Sequence, residues 1–272
     1  MSWWQAALLG LLQGLTEFLP VSSSGHLVLG QYVLGIDAEA AGDVTFEVFV
    51  HFGTTMSILT VYWSRVVEII KQTFSALGNP SEIGERFRQP TEFRIAVLIL
   101  LSMIPTAIVY VTFKDQLEQA FSDPRLVCGA LLFTGLLLLL TRLRPNPDGR
   151  LTMPKALVVG LAQAMALIPG ISRSGSTICT ALYQNVNQEQ AANFSFLMVL
   201  PVIVGATLLK TLEMFELGGP TMGVLPLVIG AGVAYVSGVW AIRVMIDLVK
   251  KGSLQYFAYY CFLIGSLGLI LI

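Results

Sequence analysis

The sequence predicts an all-α polytopic membrane protein with six transmembrane helices and two re-entrant helical hairpins, arranged as an inverted-topology repeat. Three observations predict it. Of the 272 residues 55% are hydrophobic and only 12% charged, with a mean hydropathy of +0.74, whereas a soluble domain carries about 25% charged residues. The apolar residues are grouped in stretches near the length, about 20 residues, that a helix needs to cross the hydrocarbon core. Two further apolar stretches are interrupted by breaks that resemble each other. The net charge of −1 says nothing about partners, because placement of charge matters more than its sum, but no basic run points to nucleic acid.

Taken in order, the chain opens MSWWQAALLG, with no basic region ahead of the apolar run and no small-residue cleavage site, so no removable signal peptide is expected. Residues 3–34 form the first interrupted stretch, broken at Phe18-Leu19-Pro20-Val21-Ser22-Ser23-Ser24-Gly25. Spans follow at roughly 44–63, 95–113 and 126–141. Residues 154–183 form the second interrupted stretch, broken at Ile168-Pro169-Gly170-Ile171-Ser172-Arg173-Ser174-Gly175. Spans at roughly 192–212, 223–245 and 254–272 complete a single membrane domain, 1–272. Trp3, Trp4, Tyr62 and Trp63 read as interface anchors. Cys128, Cys179 and Cys261 lack metal-like spacing and are expected as small apolar core residues.

Charge placement sets the orientation. Arg65, Lys71, Arg86, Arg88 and Arg94 share one loop, Arg142, Arg144, Arg150 and Lys155 a second, and Arg243, Lys250 and Lys251 a third; together they hold twelve of the 16 Lys and Arg. The intervening loops carry Asp37, Glu39 and Asp43, then Asp115, Glu118 and Asp123, then Glu213 and Glu216. The positive-inside rule places the three basic loops in the cytoplasm. That is self-consistent only if each interrupted stretch enters and leaves on one side, the first from the outer face and the second from the cytoplasmic face, with the C-terminus outside.

The breaks also align. Gly10-Leu11-Leu12-Gln13 matches Gly160-Leu161-Ala162-Gln163, and at the same offset Ser22-Ser23-Ser24-Gly25 matches Ser172-Arg173-Ser174-Gly175. Repeat one then covers about 1–142 and repeat two about 152–272, in opposite orientations. Broken helices of this kind, meeting near the midplane, build anion sites from half-helix N-termini.

An ionisable residue inside the membrane is costly and marks a candidate site. Glu17, His26 and Arg173 stand out, with Glu47 and His51 behind them. Gln13 and Glu17, four residues apart, share one helix face. Pro20 then breaks the chain, Ser22, Ser23 and Ser24 offer N-caps for a second half-helix, Gly25 permits close approach of a ligand, and His26 follows within one turn. The bland alternative is a serine-rich cap beside a satisfied histidine. In the second break, Ser172-Arg173-Ser174-Gly175-Ser176-Thr177 opens a half-helix, and helix N-termini favour phosphate. Arg173 has no acidic neighbour in sequence, so it calls for an anion, which its planar fork binds bidentately, or for a salt bridge to Glu17 across the repeat; the two are compatible. His51 reads more readily as a packed polar residue than as a catalyst. A base-and-hydroxyl cluster facing a phosphate clamp suits phosphoryl transfer, which needs mainly positioning and charge stabilisation. Glu17 or His26 would activate a serine or a water, and Glu17, with Gln13 beside it, would hold a divalent cation bridging diphosphate oxygens. Ser22, Ser23, water and His26 all stand as nucleophiles at this point.

Gln13-Gly-Leu-Thr-Glu17-Phe-Leu-Pro-Val-Ser-Ser-Ser-Gly-His26 and Pro169-Gly-Ile-Ser-Arg173-Ser-Gly-Ser-Thr177 resemble the two signature motifs of the undecaprenyl-diphosphate phosphatase family, the bacitracin-resistance proteins. The resemblance extends to length, to Phe46-Glu47-Val48 and to the hydropathy profile. It implies hydrolysis of undecaprenyl diphosphate to the monophosphate, which recycles the lipid carrier for cell-wall synthesis and confers bacitracin resistance. It also implies dependence on Mg2+ or Ca2+ and a site facing the periplasm of the bacterial inner membrane. By position, Glu17, His26 and Arg173 match catalytic residues, with Ser23, Ser172 and Thr177 as supporting or nucleophilic hydroxyls; Ser22, Ser24, Gly25, Arg173, Ser174, Gly175 and Thr177 are expected to bind the phosphates. Gln13 stands where the family has Glu or Gln, so Glu17 carries more of the basic and metal-binding load. The partners are the polyprenyl diphosphate lipid and the bilayer, with a homodimer left open.

Two rival readings fit parts of the pattern. The phosphatidic-acid phosphatase type requires His and Asp where Cys179 and Tyr183 stand here, and that reading fails. A transporter or flippase of an anionic polyprenyl lipid suits inverted repeats equally well, but it does not need Glu17, His26 and serines clustered at one turn.

Overall fold

Ser2 starts the first helix. Its hydroxyl accepts from the Gln5 amide while the Gln5 side chain accepts from the Ser2 amide, a capping box that satisfies two orphan donors. The computed structural model describes residues 1–36, 44–143, 147–216, 219 and 222–271, and among these the regular structure is helical, joined by turns, apart from one isolated bridge between Gly149 and Val186. The helices are α1 (Trp3–Phe18), α2 (Ser23–Val33), α3 (Val44–Gly78), a short α4 (Ile83–Arg88), α5 (Glu92–Ala120) and α6 (Pro124–Leu140), followed by α7 (Met153–Met165), α8 (Arg173–Tyr183), α9 (Gln188–Glu216), α10 (Val224–Lys250) and α11 (Gln255–Leu271).

Among the described residues, four helices are long and apolar enough to cross a membrane: Glu92–Ala120, Pro124–Leu143, Gln188–Glu216 and Val224–Lys250. The chain is therefore a multi-pass membrane protein. The expected first span, 44–63, lies in α3, which runs on to Gly78 past a bend at Tyr62 (φ −107°, ψ 16°). Hydropathy sees only the apolar half of this helix, and its Thr and Ser positions dilute even that. The expected last span corresponds to the shorter α11. Asp37, Glu39, Asp43 and Arg144, which carry part of the charge pattern, lie outside the described residues, as does the side chain of Glu213.

Close packing rests on small residues. α1 lies along α10, α7 along α5, and α6 along α11. A Cβ at Gly10 would run into the Gly230 carbonyl, and one at Gly160 into the Ser102 carbonyl, so both helix pairs approach as only small residues permit. Trp3, Trp4 and Trp63 are exposed, as interface anchors should be. Tyr62 is not such an anchor. It is buried, its hydroxyl donates to Asn193 Oδ1 at 2.9 Å, and its ring tilts against Phe196; a polar contact on the distant α9 turns the residue inward. The three cysteines are free and buried, as expected.

Candidate active site

The first turn is shaped by a proline and a strained serine. Pro20, lacking an N–H, cannot continue α1, and Ser22 adopts a left-handed φ of 70°, which costs a non-glycine residue about 1–3 kcal/mol. Local bonds hold it there. The Ser22 hydroxyl accepts from the Gly25 amide at 3.3 Å, and its carbonyl accepts from both the amide and Nδ1 of His26, the latter at 2.8 Å. Of the three serines offered as caps, Ser22 is the one that caps α2. Ser24 lies 3.3 Å from it, hydroxyl to hydroxyl.

Ser23 faces the other way. Its hydroxyl donates to Glu17 Oε2 at 2.6 Å, and the Gln13 amide nitrogen donates to the same oxygen at 3.1 Å, as the four-residue spacing anticipates. Gln13 Oε1 is buried with no hydrogen-bond partner among the described residues. A buried carbonyl oxygen without a donor is costly, and it marks a place where a donor or a cation fits.

The second turn has the same plan with different chemistry. Gly170, at φ 94°, makes the bend. The Ser172 hydroxyl caps α8 by accepting from the Gly175 amide at 3.1 Å. Thr134 of α6 clamps the turn from outside: its hydroxyl donates to the Gly170 carbonyl at 2.9 Å and accepts from the Ser172 amide at 3.0 Å. Arg173 is the first residue of α8, at the positive end of that helix's dipole.

The two turns meet. The Ser174 hydroxyl donates to the Leu19 carbonyl at 3.2 Å, and a Cβ at Gly25 would come within 3.1 Å of the Gly170 Cα. Across this seam Arg173 Nη2 donates to Glu17 Oε1 at 2.6 Å, with side-chain exposures of 14% and 6%. The salt bridge weighed from sequence is therefore present, although 156 residues separate its partners. Arg173 Nη1 is also buried without a hydrogen-bond partner among the described residues. One arm of the guanidinium thus holds the carboxylate while the other remains available to an anion.

Of the residues singled out from the two motifs, Gln13, Glu17, Ser23 and Arg173 are linked by side-chain hydrogen bonds, and the others have different roles. Ser172 is used as a cap. Thr177 spends its hydroxyl on the Arg173 carbonyl at 2.8 Å and on the Ser195 hydroxyl at 2.6 Å, which ties α8 to α9. His51 donates from Nδ1 to its own helix at Glu47 O. Glu17 and Ser23 have oxygens suited to a hard cation, and Gln13 adds its unpartnered oxygen. Among the described residues no group of three or more His, Cys, Asp or Glu could hold a metal alone. Sequence reasoning missed three contributors: Thr134, Ser195 and Tyr260. Tyr260 meets His26 Nε2 at 2.8 Å. None carries a motif: Thr134 and Tyr260 reach the site from α6 and α11, and Ser195 from α9, the helix that follows α8.

The family model for the bacitracin resistance protein BacA matches residues 6–267. This chain belongs to the BacA family. Curated BacA relatives are similar over nearly their full length. The undecaprenyl-diphosphatase of Salinibacter ruber is 61% identical over 272 residues, all of both chains. That of Bacteroides fragilis is 42% identical over 275 residues, covering 99% of this chain and 98% of the relative. That of Halothermothrix orenii is 41% identical over 266 residues, covering 97% and 95%. Both turns of the site fall inside the matched region.

Proposed function

We propose that this BacA-family protein hydrolyses undecaprenyl diphosphate to undecaprenyl phosphate and inorganic phosphate. The observation that carries the reading is the unpartnered Nη1 of Arg173, buried beside a carboxylate that already holds a serine hydroxyl. Arg173 offers that nitrogen to the terminal phosphoryl oxygens, and the N-terminal end of α8 adds its dipole. Ser23 is the favoured nucleophile, since its hydroxyl is half-buried and bonded to Glu17. Glu17 accepts the serine proton as Oγ bonds to the terminal phosphorus and the phosphoanhydride bond breaks, releasing the lipid monophosphate. Water then attacks the phosphoserine, and the proton held by Glu17 returns to Ser23 as phosphate leaves.

Glu17, Ser23 and Gln13 Oε1 have the oxygen atoms that would hold a divalent cation, Mg2+ or Ca2+. Such an ion supplies charge neutralisation on the transferring group. The chain's own part is to hold the carboxylate, which the Arg173 and Gln13 bonds do.

The same reading takes the chain as two inverted halves crossing the inner membrane six times, with two re-entrant hairpins and a site reached from the periplasm. Its support is the pairing of α1 with α10 against α7 with α5, and of α1 with α2 against α7 with α8, together with the matched contacts of Gly10 and Gly160. Single cysteines placed near Asp115 should react with impermeant reagents from outside, and those near Arg86 only after permeabilisation; the reverse pattern would invert the topology.

Phosphate release from undecaprenyl diphosphate by the purified protein, with Arg173→Ala and a chelator alongside, tests the activity. Release that needs both Arg173 and a divalent cation supports the hydrolase. No release by folded protein under any metal condition would reject it and favour a lipid carrier.

A further inference from the structure

His26 is buried, and both of its ring nitrogens are engaged. Nδ1 lies 2.8 Å from the Ser22 carbonyl. A carbonyl only accepts, so Nδ1 carries the proton and Nε2 of the neutral ring is left as the acceptor. Nε2 lies 2.8 Å from the Tyr260 hydroxyl, which must therefore donate to it. The two rings also stack, with centroids 5.5 Å apart and planes 12° apart. Tyr260 belongs to α11, 234 residues from His26, and its neighbour Cys261 is fully buried against the first turn, its thiol 4.0 Å from the Pro20 carbonyl. Two neighbouring side chains of α11 thus reach the turn that presents His26.

We infer that Tyr260 is a positioning residue for the hydrolysis, acting through His26. Its ring fixes the imidazole plane, and its hydroxyl fixes the direction of the Nε2 lone pair. The inference rests on the reading of His26 as part of the reactive cluster. Without the hydroxyl, Nε2 is a buried acceptor with no partner, and the imidazole keeps only its tether to Ser22. Tyr260→Phe separates the two contributions, because it keeps the stacked ring and removes the hydroxyl.

The test is a double-mutant cycle on phosphate release from undecaprenyl diphosphate by the full-length protein. Tyr260→Phe is expected to lower kcat about ten-fold with KM within about two-fold, the scale of one lost hydrogen bond to a reacting group. In a His26→Ala background the same change should cost nothing further, whereas a purely structural tyrosine would cost the same in both backgrounds. Ring-15N spectra supply an independent readout, since the chain has two histidines and His51→Gln identifies His26. Tyr260→Phe should leave Nδ1 protonated and move the Nε2 resonance to that of an unbonded acceptor. A poor His26→Ala enzyme with an unchanged Tyr260→Phe enzyme, or with equal losses in both backgrounds, overturns the role of Tyr260 alone. A His26→Ala enzyme of near-normal rate overturns the reading of His26, and the positioning role with it. An Nε2 resonance that the hydroxyl does not affect overturns the hydrogen bond on which the inference stands.

Discussion

The two turns of the site share a backbone plan and differ in what they carry. Each breaks a helix, places a residue at positive φ, caps the next helix with a serine and brings a glycine to the seam. The first turn supplies a carboxylate, a reachable hydroxyl and an imidazole. The second supplies a guanidinium. At the positions that match Glu17 and His26 the second turn has Leu167 and Ser176, and where it has Arg173 the first has Ser23. On the proposed mechanism neither turn suffices alone, because one lacks the cation for a phosphate and the other lacks the base. The two turns are joined by the Glu17–Arg173 ion pair.

The cation of the second turn should matter most. Arg173→Ala should lower kcat for phosphate release by about 10³-fold or more, the scale of losing an arginine from a phosphoryl-transfer site. Arg173→Lys should recover only part, since a lysine keeps the charge and loses the fork. Near-normal turnover in either variant would remove the clamp from the account.

The base comes next. Glu17→Gln should cost about 10²–10⁴-fold in kcat, while Gln13→Ala should cost about ten-fold, as one hydrogen bond to that carboxylate is worth. Equal losses would contradict the division of labour between the two. Saturating chelator should depress turnover of the wild type, and Gln13→Ala should raise the Mg2+ concentration needed for half-maximal activity.

The smallest effects sharpen the backbone comparison. Gly170→Ala should destabilise the protein by about 1–3 kcal/mol, because a side chain at that φ is strained and its Cβ would meet the Val127 carbonyl. Ser22→Gly removes a cap but relieves a left-handed serine, and glycine is only a few tenths of a kcal/mol worse as a cap. It should be near neutral in thermal unfolding. A large loss for Ser22→Gly would mean that the Ser22 hydroxyl does more than cap α2.

Much of this site was legible in the sequence because its geometry is local. The four-residue spacing of Gln13 and Glu17, the break at Pro20 and the placement of Arg173 at a helix start are all short-range features, and the structure keeps them. The need of Arg173 for an anion was equally legible, since a guanidinium among apolar neighbours has few ways to be satisfied. What was hidden depends on packing between distant helices. Thr134, Ser195 and Tyr260 sit in apolar helices where a hydroxyl carries no signal until its partner is known. Tyr62 was misplaced for the same reason: beside Trp63 it resembles an interface aromatic, and only Asn193 and Phe196 turn it inward. The full length of α3 was hidden because its last turns are helical without being apolar.

The most direct test of one site built from two turns is the double-mutant cycle of Glu17→Gln and Arg173→Ala, read as kcat for phosphate release. If both residues act on the same phosphoryl group, the double variant should be about as slow as the slower single variant, because residues that act as a unit are grossly non-additive. If the two losses multiply in full, Glu17 and Arg173 act independently, and the half-sites do not form one centre.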